Sequence, residues 1–305
     1  MKAITFETVA EGYIKAHAAG WRNSKHAAQW GATLRTYVYP NFGSVAVVDV
    51  ATEHVLAALQ PIWSTKPETA ARVRGRIESI LDYAKAMKWR QGENPATWRG
   101  HLVKLLPSRA KVAPVVHHAA LPWTEIATFM AALRGQTGLS ACALEFTILT
   151  AARSGETFGA TWGEIDLEAK TWTVPASRMK AAREHRVPLS APALALLEKL
   201  AKLRPDTEPG RYIFPGAAAR KPLSNMAMTM VLRRMKRGDV TPHGFRSTFR
   251  DWAAEKTSFP NEVAEAALAH VVGDKVEAAY RRGDLFEKRR AMMEEWGRAT
   301  VGAMT

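Results

Sequence analysis

The stretch TPHGFRSTFRDWAAE, residues 241–255, sorts its side chains by chemistry. Phe245, Phe249 and Trp252 share one helical face, while His243, Arg246 and Arg250 share another that carries no acid. Thr241 and Pro242 read as an N-cap and a first-turn proline, so a helix is expected to start there. The aromatic face is core. The cationic face needs an anion from outside the chain. Four more positions could work with it. Arg153 precedes Gly155 at a corner between helical patterns, Lys180 lies in a basic connection, His270 ends the apolar run VAEAALAH, and Tyr280 lies in VEAAYRRGDLF. Singly, each has an ordinary structural reading: a salt-bridged arginine, an exposed lysine, a helix-terminal histidine favoured by the dipole and a half-buried tyrosine.

The elements that must hold these residues are mostly helical. The first hundred residues give four helical stretches: TFETVAEGYIKAHAAGW, SKHAAQWGATLRTYVYP stopped by Pro40, VVDVATEHVLAALQPIW reaching about Gln60, and KPETAARVRGRIESILDYAKAMKW. In the last, Val73, Ile77, Ile80, Ala84 and Met87 form one stripe, with Arg72, Arg74, Arg76 and Lys85 away from it. SRAKVAPVVHHAA, residues 108–120, lacks periodicity and reads as a linker; His117 and His118 have no cysteine or carboxylate at ligand spacing, so no metal site is read there. Beyond it come LPWTEIATFMAAL and two helices meeting near Arg153, then KTWTVPAS and EHRVPLS as a hairpin joined by RMKAAR. APALALLEKLAKL is helical, RYIFPG is a short extended piece, and helices fill the rest. The expected fold is mainly α: an all-α domain over residues 1–107, a linker over 108–120, and a mostly α domain with a small antiparallel sheet over 121–305.

The chain holds 43 Lys+Arg against 29 Asp+Glu, a net charge of +14 in 305 residues. That surplus points to a polyanion, nucleic acid before an anionic membrane. No apolar run approaches the ~20 residues of a membrane span, and no signal-peptide core follows the N-terminus. The single cysteine, Cys142, reads as a small buried side chain; it excludes an internal disulfide and fits a reducing, cytoplasmic setting. Arg72, Arg74 and Arg76, with a second cluster of Trp21, Arg22, Lys25 and His26, are expected to contact DNA backbone, as is Arg250 unless it pairs with acidic surface of its own fold.

The order Arg153, Lys180, His243-x-x-Arg246, His270, Tyr280 resembles the tyrosine recombinase family, and within it the integrases of the P4-phage and genomic-island type. TAARSGE looks like the first arginine box, TPHGFRSTFRDWA the second, and LAHVVGDKVEAAYRRGD the segment ending in the nucleophile; Lys180 lies eight residues before Pro188 of RVPLS. The match is spread over most of the chain, with a helical core-binding domain, a linker and a catalytic domain in the family's order.

The resemblance implies site-specific DNA strand breakage and rejoining without metal or other cofactor. Tyr280 would be the nucleophile, because a phenol with a pKa near about 10 leaves more readily than a sugar alkoxide and keeps the exchange reversible. Arg153 and Arg246 would face the charge on the non-bridging oxygens with two rigid forks of donors. His243 would act as base or hydrogen-bond partner toward Tyr280, His270 would assist at the phosphate, Lys180 would be the general acid for the 5′-oxygen, and Glu156 would support the site. Implied partners are double-stranded DNA at attachment-type core sites, three further copies in a tetramer on DNA, and accessory DNA-bending proteins; the implied location is the nucleoid. Met292, Met293 and Trp296 of the amphipathic tail are expected to anchor against a neighbouring subunit, with packing in cis the alternative. Close relatives usually carry a further N-terminal domain that binds arm-type sites, whereas this chain starts almost directly with core-binding helices: it either lacks arm binding or is part of a longer protein. Two rival functions are a type IB topoisomerase-like nicking-closing enzyme and a decayed, non-catalytic DNA-binding integrase. Tyr280→Phe separates the latter from a working recombinase.

Overall fold

The stripe of Val73, Ile77, Ile80 and Ala84 becomes the buried side of a 20-residue helix, Pro67–Ala86. Met87, expected on that stripe, is instead 45 % exposed, because the helix ends at Ala86 and the chain turns away through Lys88 at a φ of 60°. The structure is a computed structural model that describes residues 3–21, 24–112, 119–218, 220–270 and 283–302. It is mainly α with one small antiparallel sheet, and divides into two compact units, Met1–His117 and His118–Thr305. No helix among the described residues is long and apolar enough to cross a membrane.

The first unit packs α1 (Phe6–His17), α2 (Ser24–Tyr37), the one-turn α3 (Tyr39–Phe42), α4 (Thr52–Trp63) and α5 (Pro67–Ala86), with α6 (Arg109–Val112) at its end. Helix α4 runs one turn past Gln60 and contains Pro61. The turn α6 lies within the segment expected to be a bare linker. Phe6, Leu34, Leu59, Ile77 and Ile80 are among the fully buried side chains of this core. Each fully buried aliphatic chain contributes roughly 1.5–3 kcal/mol relative to exposure.

In the second unit, α7 (Ile126–Arg134), α8 (Leu139–Thr150) and the short α9 (Ser154–Phe158) precede the sheet. Helix α8 is buried almost all round, from Ala141 and Ala143 to Thr150, which makes it the central element. The hairpin forms as read: β2 (Thr171–Val174) pairs antiparallel with β3 (His185–Pro188), Val174 opposite His185. The third strand is β1 (Ile165–Asp166), which the sequence did not announce. RYIFPG makes only isolated bridges, Tyr212 to Thr161 and Pro215 to Pro222. Then follow α10 (Ala191–Leu203), α11 (Ala227–Arg234), α12 (Gly244–Lys256), α13 (Asn261–Ala267) and α14 (Phe286–Val301).

Helix α14 corrects the expectation for the tail. Met292, Met293 and Trp296 are at most 1 % exposed inside their own unit. Trp296 packs on Phe249 and Trp252 at ring distances of 5.4 and 5.1 Å and donates its indole N–H to the Ile148 carbonyl at 2.8 Å. Gly297 permits this approach, since a Cβ there would lie 2.7 Å from Ser190. These anchors pack in cis because the faces of α8 and α12 offer them a closed apolar seat.

Candidate active site

Helix α12 presents the aromatic face as expected: Phe245, Phe249 and Trp252 are at most 3 % exposed. It starts two residues later than the Thr-Pro signal suggests, because Thr241–His243 forms a preceding turn in which Thr241 Oγ1 accepts from the Gly244 amide at 3.0 Å. Glycine is required at 244, where a Cβ would sit 2.1 Å from the Ala119 carbonyl oxygen. Thr248 Oγ1 also donates to Leu121 at 2.7 Å, so the segment after residue 118 fixes the helix by both contacts.

Arg246 is only 5 % exposed. It donates to the carbonyls of Ala151 and Leu268, the latter at 2.6 Å, and to His270 Nε2 at 3.1 Å. Two left-handed residues bring those acceptors round: Ala151 ends α8 at a φ of 50°, and Ala269 follows α13 at 49°. Arg153 reaches the same place from the N-cap of α9, donating to Leu268 at 3.5 Å and Ala269 at 3.3 Å. Glu156 holds Arg153 twice, its carboxylate accepting from the Arg153 amide and from Nη1, each at 2.8 Å. The two guanidiniums therefore meet at one carbonyl, Leu268. Burial, and then the nearby charge of Arg153, push the Arg246 pKa down to about 10, against the opposing pull of Glu156 and Glu265.

An arginine can only donate, so His270 Nε2 must accept and Nδ1 carries the proton, given to Glu265 Oε2 at 2.7 Å. Glu265 Oε1 also pairs with Arg250 at 2.9 Å, an acidic partner within its own fold. His243 stands exposed at the N-cap of α12, and Lys180 is exposed in the β2–β3 connection. Tyr280 lies outside the described residues, as do Arg22, His117 and His118. The structure thus gathers Arg153, Glu156, Arg246 and His270 into one cluster.

Four neighbours went unnoticed in the sequence. Glu265 steers His270. Arg178 starts the hairpin connection, donating to the Glu156 carbonyl at 2.8 Å and pairing with Glu164. His185, opening β3, has its pKa pushed down to about 4, first by burial and then by Arg289. Glu265 lies only five residues before His270, but that is no helical-face spacing and His270 stands beyond the end of α13; the rest depend on the sheet's placement. Among the described residues, no group of three His, Cys, Asp or Glu side chains could hold a metal ion. Cys142 is half-buried, and burial raises its thiol pKa.

The basic cluster of α5 needs correction. Arg76 is 7 % exposed and donates to the Gln29 carbonyl at 2.9 Å and to Thr33, with its guanidinium 5.3 Å from the Trp30 ring centre. Arg74 pairs with Glu78 at 2.6 Å and donates to the Ala96 carbonyl. Both point into their own unit, where packing brings carbonyls and a hydroxyl within reach of their guanidiniums. Of the three, Arg72 alone is largely exposed, 3.1 Å from an exposed Glu68. Lys25 falls in the first turn of α2.

Comparison with known proteins gives this geometry a lineage. Residues 6–101 match the phage integrase central domain, and residues 120–284 the phage integrase family. The chain is 34% identical over 301 residues to the prophage integrase IntZ of Escherichia coli K12, covering 97% of this chain and 71% of that protein. It is 30% identical to the integrase of enterobacteria phage P4, covering 96% of this chain and 69% of the phage protein. A crystal structure of a lambda integrase dimer bound to a core site aligns with a TM-score of 0.67 over 92% of this chain and 96% of the other, at 18% identity, a likeness of fold. With one family match spanning more than half its length and the second covering its helical first unit, the chain belongs to the phage integrase family and is a phage-type tyrosine recombinase.

Proposed function

We propose that this recombinase breaks and rejoins double-stranded DNA at attachment-type core sites through a 3′-phosphotyrosyl intermediate, integrating or excising a mobile element. The observation that carries the reading is the meeting of Arg153 and Arg246 at the Leu268 carbonyl, two like charges held together at a site with His270 beside them. Such a pair is unfavourable alone and favourable around a phosphate. Tyr280 Oη attacks the scissile phosphorus as its proton passes to His243. The bond from phosphorus to the 5′-oxygen breaks, and Lys180 supplies a proton to the departing oxygen. Attack by an incoming 5′-hydroxyl reverses these steps. Arg153 and Arg246 face the charge that builds on the non-bridging oxygens, where fixed donors are typically worth about 3–4 kcal/mol each. Glu156 and Glu265 hold Arg153 and His270 in place.

The first unit is assigned to core-site binding and the second to catalysis. Phosphate contacts would supply most of the affinity and a few base contacts the register. Exchange between two duplexes, each with two half-sites, requires four active sites and hence a tetramer on DNA; accessory bending proteins and association with the nucleoid accompany that reading. The test is covalent trapping in EDTA on nicked duplexes made from the DNA flanking the gene. A slow-migrating adduct is expected with the parent chain and none with Tyr280→Phe. An adduct undiminished in Tyr280→Phe refutes the assigned nucleophile.

A further inference from the structure

The connection that holds Lys180 is tied down at both ends. At its start, Arg178 donates to the Glu156 carbonyl beside the arginine cluster. At its end, Arg186 of β3 donates Nε and Nη2 to Asp284 Oδ2 at 3.1 and 2.9 Å. Asp284 is four residues beyond Tyr280. Behind this pair lies Arg289, whose side chain is 1% exposed although it sits on the first turn of a helix. All three of its nitrogens are engaged: Nε with the Asp284 carbonyl at 2.7 Å, Nη1 with the Arg186 carbonyl at 2.6 Å, and Nη2 with Asp284 Oδ2 at 2.9 Å. Asp284 Oδ1 accepts from the Phe286 amide at 3.2 Å, and Leu285 between them turns the chain at a φ of 55°. The Arg186 guanidinium also lies 4.3 Å from the centre of the Phe286 ring.

A staple needed only for stability is more cheaply made from apolar side chains, since burying a guanidinium carries a desolvation penalty. A fully engaged planar fork instead fixes distance and angle. Here it locks one backbone carbonyl of β3 to one carboxylate of the chain leaving the nucleophile segment. Burial raises the Asp284 pKa, but the hydrogen bond from Arg186 and the charge of Arg289 outweigh it, so the carboxylate stays ionised through the neutral range.

We infer that Arg186, Asp284 and Arg289 are positioning residues of the recombination reaction: they clamp the Lys180 hairpin to the chain that emerges from the Tyr280 segment and so deliver Lys180 to the departing 5′-oxygen. The inference rests on the proposed role of Lys180 as general acid. The clamp touches no reacting atom. It sets where the proton donor stands, and its loss removes general-acid assistance while leaving the arginine cluster in place.

Single-turnover cleavage of nicked duplexes by the full chain tests this, using either the natural 5′-oxygen at the scissile phosphate or a bridging sulfur in its place. A thiolate, of pKa about 8.5, departs without a proton, so the sulfur substrate dispenses with the acid. Asp284→Asn should slow cleavage of the oxygen substrate at least about 10-fold, part of the 10²–10⁴ that general-acid transfer contributes, and return to within about 3-fold of the parent on sulfur. DNA affinity should stay unchanged. Arg186→Gln, at a half-exposed side chain that leaves the Arg289–Asp284 pair intact, should behave alike and guards against misfolding of the first variant. Equal slowing on both substrates, or no slowing on either, overturns the clamp. Lys180→Ala run in parallel separates the two readings: if sulfur does not rescue it, Lys180 is not the acid, whatever the clamp variants do.

Discussion

Arg76 in the first unit and Arg246 in the second are buried to nearly the same degree, 7% and 5% exposed, and both donate to backbone carbonyls. Their surroundings differ in kind. The partners of Arg76 all come from α2, so it braces one helix against another and lies against the Trp30 ring. Arg246 gathers its acceptors from the end of α8, the end of α13 and His270, next to a second guanidinium. A strut joins two elements; a site collects several chain ends around a charge. Burial alone does not distinguish the two, and neither does sequence, since both arginines sit on amphipathic helices.

Arg246→Lys keeps the charge but loses the fork, and it should lower single-turnover cleavage by roughly 10²–10³-fold while DNA affinity holds, as expected for a donor facing transition-state charge. Cleavage within a few-fold of the parent would reduce Arg246 to another strut. His185 sharpens the contrast as a third buried basic group, one that stays neutral. Its folded pKa of about 4 lies below the ordinary 6.5, so its contribution is complete above pH 6.5 and is lost as pH falls toward 4. Unfolding free energies from urea titrations across that window should fall, by about 3 kcal/mol at most, and His185→Gln should flatten the slope. A slope unaltered in His185→Gln would place the acid sensitivity elsewhere.

Arg76→Met should cost about 1–3 kcal/mol through the lost hydrogen bonds to Gln29 and Thr33 and the lost cation–ring contact, read as a lower urea midpoint. Cleavage per folded molecule should be unchanged. A catalytic defect without a stability defect would invert the comparison. The smallest effect is expected from Arg72→Ala, whose surface pair with Glu68 is worth about 0.3–0.5 kcal/mol. If Arg72 meets a phosphate, the same change lowers the slope of log affinity against log salt by about one; an unaltered slope excludes it from the DNA contact.

Periodicity and motif order revealed much of the molecule. The core face of α12, the helical stripe of α5, the β2–β3 hairpin and the corner at Arg153 depend on neighbours within a few residues, where side-chain direction follows from 3.6- or 2-residue spacing. The tail deceived because an amphipathic helix shows that it has an apolar face and not whose core receives it; the seat formed by Phe249, Trp252 and Ile148 exists only once the second unit is folded. Arg74 and Arg76 deceived for the same reason, since a cation lying off the main stripe can still find carbonyls on a neighbouring turn or helix.

By itself the sequence determined which residues could do chemistry, their order, the charge that selects a polyanion and the elements that carry them. Tertiary structure alone decided that Arg153 and Arg246 share the Leu268 carbonyl, that Glu265 claims both His270 and Arg250, and that Arg289 is buried against β3. The physical reason is range. Helical and strand periodicity act over a few residues, whereas the partners of a buried charge are whichever carbonyls and carboxylates the packing brings within reach, and those lie up to 116 positions away along the chain.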